Sequence, residues 1–74
     1  MWISRKEKDF PVYNGEDGDE GFLAAWVEPD GTISAIEWYN YLGDDEFWNL
    51  NSHNRNELSE RLKPTHWMKV PSTR

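Results

Sequence analysis

Two histidines and a run of carboxylates are the side chains best suited to acid–base or metal chemistry. His53 and His66 are the two histidines of the chain, and Asp44, Asp45 and Glu46 follow one another directly. Convergence of both imidazoles with one of the aspartates would create a transition-metal site. The histidines lack the paired spacing of known ligand motifs, however, which favours a hydrogen-bonded His66 and a solvent-exposed His53. The sequence therefore predicts neither a metal site nor a cofactor.

Patterns that support catalysis are also missing from the sequence. The chain contains no cysteine, which removes thiolate nucleophiles and zinc–thiolate sites. It has no Gly-x-Ser-x-Gly element and no glycine-rich phosphate loop. Three consecutive carboxylates in a turn point in different directions rather than into a shared cleft, and the acidic loop at residues 14–21 lacks the ligand positions of an EF-hand. We predict that the protein is not an enzyme and has no catalytic residue.

Charge is strongly segregated along the chain. The formal net charge is −6, and residues 9–50 contain eleven acidic residues and neither lysine nor arginine. All eight cations lie in residues 1–8 and 51–74. Either the basic ends lie beside the acidic middle and partly neutralise it, or the acidic middle meets a basic partner surface. Direct binding of a nucleic-acid backbone is not expected from so acidic a chain.

Length and composition describe a small, aromatic-rich protein. The 74 residues include five Trp, three Tyr and three Phe, so large rings must supply most of the core of one domain spanning residues 1–74. The absence of cysteine fits a reducing cytoplasm. Neither an apolar leader nor a run of about 18 apolar residues is present, so we expect a cytoplasmic protein without membrane contacts.

The order of apolar runs and turn residues predicts an α+β, mostly β, fold: a small antiparallel meander of three to five strands with one short helix near residues 55–62. The most secure turn is Pro29-Asp30-Gly31, because proline, aspartate and glycine each suit their turn position. Ile36 and Trp38 are predicted on the more buried side of the following strand. Asn54 as a cap, Leu58 and Leu62 at spacing four, and the Pro64 stop indicate the helix. The predicted strands are residues 22–27, 32–39, 46–50 and 65–70.

Most of the rings are expected in the core, but a sheet with one small helix cannot bury all of them. Tyr39, Tyr41 and one tryptophan are therefore predicted to form an exposed patch beside the acidic turn. Such a patch suits a partner protein or a homo-oligomer interface. The predicted binding residues are Tyr39, Tyr41, Asp44, Asp45, Glu46 and Trp48.

Short motifs at both ends carry a family resemblance. The chain opens with Trp2-Ile3-Ser4, continues with Phe10-Pro11, and closes with Thr65-His66-Trp67-Met68 followed by Pro71. In this order the motifs resemble a family of short phage and prophage proteins of unknown function, and the resemblance spans nearly the whole chain. The resemblance implies a cytoplasmic accessory protein of a virus and no reaction. Trp2 and Trp67, which belong to the motifs, are expected to pin the two chain ends.

Three functions follow as hypotheses. The first is a phage-encoded interaction protein that binds and inhibits a host or defence protein with a basic surface, using acidic and aromatic residues. The second is a DNA mimic that occupies a basic groove. The third is a sponge for a nucleotide-like ligand, in which aromatic rings stack on the base and the basic ends hold phosphate.

Overall fold

Six antiparallel strands and one short turn of 3-10 helix make up the fold of this computed structural model, which describes residues 1–15 and 20–70. The strands lie in the spatial order 1-6-2-3-4-5, so the second to fifth form a meander and the sixth returns beside the second. The predicted mostly-β antiparallel meander is confirmed, with six strands instead of three to five. Expectations for residues 16–19 of the acidic loop and for residues 71–74 lie outside the described residues. The elements are β1 (Ile3–Ser4), β2 (Phe22–Val27), β3 (Ile33–Gly43), β4 (Glu46–Asn49), β5 (Asn54–Glu57), the 3-10 turn (Glu60–Leu62) and β6 (His66–Lys69).

The turn between β2 and β3 lies where the sequence predicts it. Gly31 has a φ of 92°, a value that glycine adopts without steric cost. The Asp30 carboxylate accepts hydrogen bonds from the backbone N–H and the hydroxyl of Thr32, at 2.9 and 2.7 Å. These bonds lower the pKa of Asp30, with the bond from the Thr32 hydroxyl as the main cause. The proline, aspartate and glycine thus fix the register of the central hairpin.

The turn between β3 and β4 is shorter than the sequence indicates. Only Asp44 and Asp45 stand between the paired residues Gly43 and Glu46. Their φ values are 50° and 66°, and a type I′ turn requires positive φ at both central positions. Aspartate tolerates this conformation better than most residues, so two of the predicted binding residues have a structural reason for their place.

The helix predicted for residues 55–62 is wrong. Residues 54–57 form β5, which places Arg55 opposite Trp48 of β4, and the 3-10 turn begins only at Glu60. A helix of eight residues is marginal in isolation. Leu58 instead packs against the core, and its N–H donates to the Asp45 carbonyl at 2.9 Å. Strand pairing and the burial of Leu58 override the local capping pattern.

The two ends of the described chain meet at one edge of the sheet. β1 pairs with β6 so that Ile3 lies opposite Trp67. The Trp67 indole is 3% exposed, and its Nε1 donates to the Lys8 carbonyl at 2.8 Å. Trp2, which precedes β1, is half-buried. Trp67 therefore holds the N-terminal residues at this edge of the sheet, whereas the expectation that Trp2 also pins a chain end stays a prediction.

The core lies on one side of the sheet, called here the covered face: Phe22, Ala24, Tyr39, Phe47 and Trp67, all at most 4% exposed. Residues 5–13, called here the arm, cross this side and insert Phe10. The Phe10 ring stacks on Phe22 with centroids 5.4 Å apart and meets Phe47 edge-on at 5.4 Å. Such aromatic pairs add about 0.5–1.5 kcal/mol each to the effect of burial. The arm therefore closes one face of the sheet.

Ion pairs link the arm and the β3–β4 turn to the segment between β5 and β6. Arg5 binds Asp9 at 3.2 Å and Glu60 at 2.6 Å, while Lys63 binds Asp45 at 2.5 Å and Glu60 at 3.2 Å. Hydrogen bonding to Glu60 raises the pKa of Arg5, and hydrogen bonding to Asp45 raises the pKa of Lys63. The bonds from Arg5 and Lys63 lower the pKa of Glu60. Cations from the basic ends thus neutralise two aspartates of the acidic middle.

Candidate binding surface

The two tyrosines of the predicted patch belong to the covered face. Tyr39 is 4% exposed, and its ring centroid lies 5.1 Å from that of Phe47. Burial raises the pKa of its phenol, as does the nearby Glu37 carboxylate. Tyr41 is half-buried, 4.8 Å from Phe47 and 5.6 Å from Phe10. The expected exposure of Tyr39 is wrong, because its ring packs against Trp26 and Phe47 in the core.

The three consecutive acids of the predicted patch have separate environments. Asp44 is exposed at the tip of the turn. Asp45 holds Lys63, whose side chain is only 5% exposed. Glu46 lies 3.8 Å from Arg55 across the β4–β5 pair. As the sequence predicts, the three side chains do not converge on one cleft.

Trp48, the sixth predicted residue, lies on the opposite side of the sheet from the tyrosines. It pairs with Asn40 of β3 and with Arg55 of β5, whereas its neighbour Phe47 faces the core. Residues directly opposite one another share a face of the sheet, and successive residues alternate. The six predicted residues are therefore divided between two faces and a turn, and do not form one patch.

The surface on the Trp48 side is largely apolar, with the buried Asn40 beside Trp48, and we call it the open face. Leu23 lies opposite both Met68 and Trp38, and Ala25 lies opposite Ile36. Ile36 and Trp38 are 51% and 37% exposed, so their predicted placement on the more buried side is wrong. The apolar side chains of the open face are Leu23, Ala25, Val27, Ile33, Ile36, Trp38, Trp48 and Met68, of which Ala25 is fully buried; Asn40 and Arg55 lie on the same face.

Two contacts of Trp38 show how the sequence positions this surface. Its indole Nε1 donates to the Glu20 carbonyl at 2.5 Å, which orients the ring along the sheet. Its backbone carbonyl accepts a hydrogen bond from the Leu50 N–H at 2.9 Å. Trp38 is thus held at both its side chain and its backbone while more than a third of it remains accessible.

Acidic groups border the open face. Glu57 lies on this side next to the Glu46–Arg55 pair, and Glu28 and Asp30 occupy the turn beyond Val27 and Ile33. Within residues 1–15 and 20–70, the side chains of Glu28, Asp30 and Glu57 make no ion pair. The surface therefore combines an apolar centre with carboxylates that are free to meet cations.

Sequence reasoning missed Leu23, Ile36 and Met68 as surface residues. The signal was present, because β2 and β3 carry apolar side chains on both sides. Two apolar sides require two covers, and the arm supplies only one. What the sequence does not reveal is which side the arm takes.

The histidines do not share a site. His53 lies in the β4–β5 turn with a φ of 57°. His66 lies on β6, and its Nδ1 is 2.8 Å from the Thr65 hydroxyl oxygen. Strands β2 and β3 stand between β6 and β4. Across the described residues, no three His, Asp or Glu side chains gather in a set that could hold a metal ion.

A cleft lies between the arm and the segment before β6. It is a cleft of 730 Å³ whose cationic lining includes Arg5, Lys6, Arg61 and Lys63. Arg5 and Lys63 already hold Asp9, Asp45 and Glu60, so two of the four cations are engaged by carboxylates. This arrangement favours a structural role for the cleft over binding of phosphate.

Comparisons with other proteins complete this description. No helix in the described part of the chain has the length and apolar character needed to cross a bilayer. Family models, curated proteins and solved structures all give no match to this chain.

Proposed function

We propose that this chain is an interaction protein that binds a partner protein with a basic surface through the open face. The exposure of Ile36 and Trp38 at the centre of an apolar sheet surface is the observation that carries the proposal. In the setting that the phage resemblance implies, the partner is a host or defence protein and binding inhibits it.

Physical chemistry supports this choice of surface. Contiguous exposed apolar side chains are uncommon on monomers and mark binding sites, especially when polar residues surround them. Aromatic residues are enriched at the centres of protein interfaces, and Trp38 and Trp48 both belong to the open face. The bordering carboxylates of Glu28, Asp30 and Glu57 would steer a cationic partner and raise its association rate.

The other two hypotheses have weaker support. A DNA mimic needs accessible carboxylates in regular spacing, but Asp9, Asp45 and Glu46 are engaged by cations of the chain itself. A nucleotide sponge needs cations available for phosphate, but Arg5 and Lys63 are engaged by carboxylates. Neither set of ion pairs argues against protein binding through the apolar side chains of the open face.

Affinity capture with matched variants tests the proposal. The tagged chain is incubated with bacterial lysate as the wild type, as Ile36→Lys and as Val12→Lys. Val12 is 61% exposed and lies on the arm, so its variant carries the same charge change on the other side of the molecule. A captured protein is then purified and its dissociation constant measured against all three chains.

The expected result is specific to the open face. Ile36→Lys should weaken binding at least about tenfold, a loss of about 1.4 kcal/mol, because a buried ammonium meets an apolar and cationic partner. Val12→Lys should bind like the wild type. Higher salt should slow association of the wild type. Equal affinities for the two variants would show that the open face is not the binding site.

A further inference from the structure

β3 extends beyond the strand that follows it. It pairs with β2 from Ile33 to Tyr39, but its pairing with β4 begins only at Tyr39. Among the described residues, the Leu50 N–H donates the last backbone hydrogen bond from the β4 side, to the Trp38 carbonyl, and beyond it the Asn49 side chain donates to the Glu37 carboxylate at 2.8 Å. Within the described part of the chain, residues 33–37 of β3, called here the free edge, therefore have a neighbouring strand on one side only.

The backbone of Ile36 is directed toward this free edge. In an antiparallel sheet, the N–H and C=O groups of successive residues alternate between the two sides of a strand. Because the Trp38 carbonyl points away from β2, the N–H and C=O of Ile36 do so as well. Ala25, which lies opposite Ile36, sends its own carbonyl to the Thr65 N–H at 3.0 Å, on the far side of β2. Both hydrogen bonds therefore indicate that the N–H and C=O of Ile36 point away from β2, toward the free edge.

Burial along β3 agrees with an open edge. Four successive residues, 33–36, are exposed, although alternate residues of an internal strand with one covered face would be buried. Ile33 and Ile36 are 44% and 51% exposed. At residues 33–36 the free edge and the side chains on both faces of β3 are therefore accessible.

The three edges of the sheet differ in how they are protected against added strands. β1 has only two residues, and β5 is entirely polar and carries Arg55. Short length and charged side chains are the usual ways in which edge strands avoid pairing. Residues 33–37 include two isoleucines and neither lysine, arginine nor proline.

We propose that the partner supplies an extended segment that pairs with the free edge as an added strand, with Lys or Arg beside the Glu28–Asp30 turn. This proposal rests on the proposed function and specifies how the partner reaches the open face. About five residues, spanning about 17 Å, fit before the segment meets Leu50. Alternate side chains of the segment would lie on the open face beside Ile36 and Trp38.

Charge complementarity selects a cationic segment rather than a second copy of this chain. Two β3 strands paired about a two-fold axis would bring no lysine or arginine into the paired residues, because residues 33–37 contain none. Each copy would also carry a net charge of −6. A segment with Lys or Arg at its end meets the carboxylates of Glu28 and Asp30 instead, which form no ion pair with the described residues.

Three synthetic peptides test strand addition. The parent is acetyl-Lys-Val-Thr-Val-Thr-Val-Lys-amide. The second has the same sequence with its five inner amides N-methylated, which removes the donors for strand pairing and retains the side chains. The third replaces both lysines with glutamate. Each is titrated into the full chain, and binding is followed through backbone amide resonances and amide hydrogen exchange.

Strand addition predicts a defined pattern. The parent should slow exchange of the Ile36 amide at least about tenfold, leave the β5 amides unchanged, and bind at least about tenfold more tightly than the N-methylated peptide. The glutamate peptide should bind at least about fivefold more weakly than the parent at low salt.

Other outcomes overturn the proposal and separate it from the proposed function. Equal binding of the N-methylated peptide at Ile36 and Trp38 would show docking on the open face without strand pairing. If the parent peptide causes no response at millimolar concentration, strand addition is wrong. Only retained partner binding by Ile36→Lys would show that the partner does not bind through the open face. A dimer in sedimentation with a protected Ile36 amide would identify a second copy as the occupant.

Discussion

Replacement of Phe10 by alanine tests whether the arm is an integral part of the core. Phe10 belongs to no strand, yet its side chain is 4% exposed. Its ring contacts Phe22, Tyr41 and Phe47 at centroid distances of 5.4, 5.6 and 5.4 Å. The Arg5 guanidinium lies 5.3 Å from the ring centroid on the outer side. Removal of the ring would leave a cavity bounded by three aromatic side chains.

The expected loss is large for a chain of this size. Truncation of a buried phenylalanine to alanine costs about 3–5 kcal/mol. A chain of 74 residues has a free energy of unfolding of about 4–11 kcal/mol. Phe10→Ala should therefore remove a large share of the stability, and Phe10→Leu, which retains most of the apolar volume, should cost less than about 1.5 kcal/mol.

Urea unfolding followed by circular dichroism measures these differences. Val12→Ala is the matched control, because Val12 lies on the same arm and is 61% exposed; its free energy of unfolding should stay within about 0.5 kcal/mol of the wild type. If Phe10→Ala is too unstable for a full transition, Phe10→Leu still gives an ordered series. A loss below about 1 kcal/mol for Phe10→Ala would show that the arm is not a structural cover.

Two further predictions concern Gly21 and Glu60. At Gly21, with a φ of 73°, a Cβ atom would lie 2.5 Å from the Tyr39 carbonyl oxygen and 2.6 Å from Leu50 Cδ1; Gly21→Ala should therefore lower the free energy of unfolding by about 1–3 kcal/mol. The control is Gly43→Ala, where φ is 88° and no atom lies within 4 Å of the added Cβ; its free energy of unfolding should fall by only about 1 kcal/mol from backbone strain. Equal losses for the two variants in urea unfolding would contradict the close contact at Gly21. Because Arg5 and Lys63 lower the pKa of Glu60 below its ordinary 4.5, the stabilisation by its carboxylate is present above that value and lost as the pH falls through the lowered pKa. Glu60→Gln should lower stability at pH 7 and flatten the fall in acid, whereas Glu7→Gln, whose side chain makes no ion pair with the described residues, should follow the wild-type curve of unfolding free energy against pH.

Local chemistry explains which parts of the fold could be predicted. The Pro29-Asp30-Gly31 turn depends on interactions within five residues, and the structure confirms it. The helix at residues 55–62 also had a local signal, but the pairing of Arg55 with Trp48 across β4 and β5 is a contact between distant elements. Eight residues cannot stabilise a helix strongly enough to compete with strand pairing and core contacts. Local patterns therefore predict turns well and short helices poorly.

The assignment of faces failed for a different reason. Apolar residues on both sides of β3 give no sign of which side is covered, so Tyr39 and Ile36 were each placed on the wrong side. The deciding contact is the insertion of Phe10 against Phe22, which joins residues separated by the acidic loop. Which face of β3 is buried depends on where the arm lies, and the alternation of residues within β3 does not predict the position of the arm. Tyr39 could therefore not be told from Ile36 as the buried residue.

The segregated charge has an observed structural role on one side of the sheet and a proposed binding role on the other. On the covered side, Arg5 joins the arm to Glu60, and Lys63 joins the β3–β4 turn to the segment before β6 through Asp45. On the other side, Glu28, Asp30 and Glu57 have no such partners among the described residues. Arg5 and Lys63 are engaged by the carboxylates of the covered side, and Glu28, Asp30 and Glu57 are the groups to which the proposed function assigns a cationic partner. If that proposal holds, one charge pattern along the chain serves both folding and recognition.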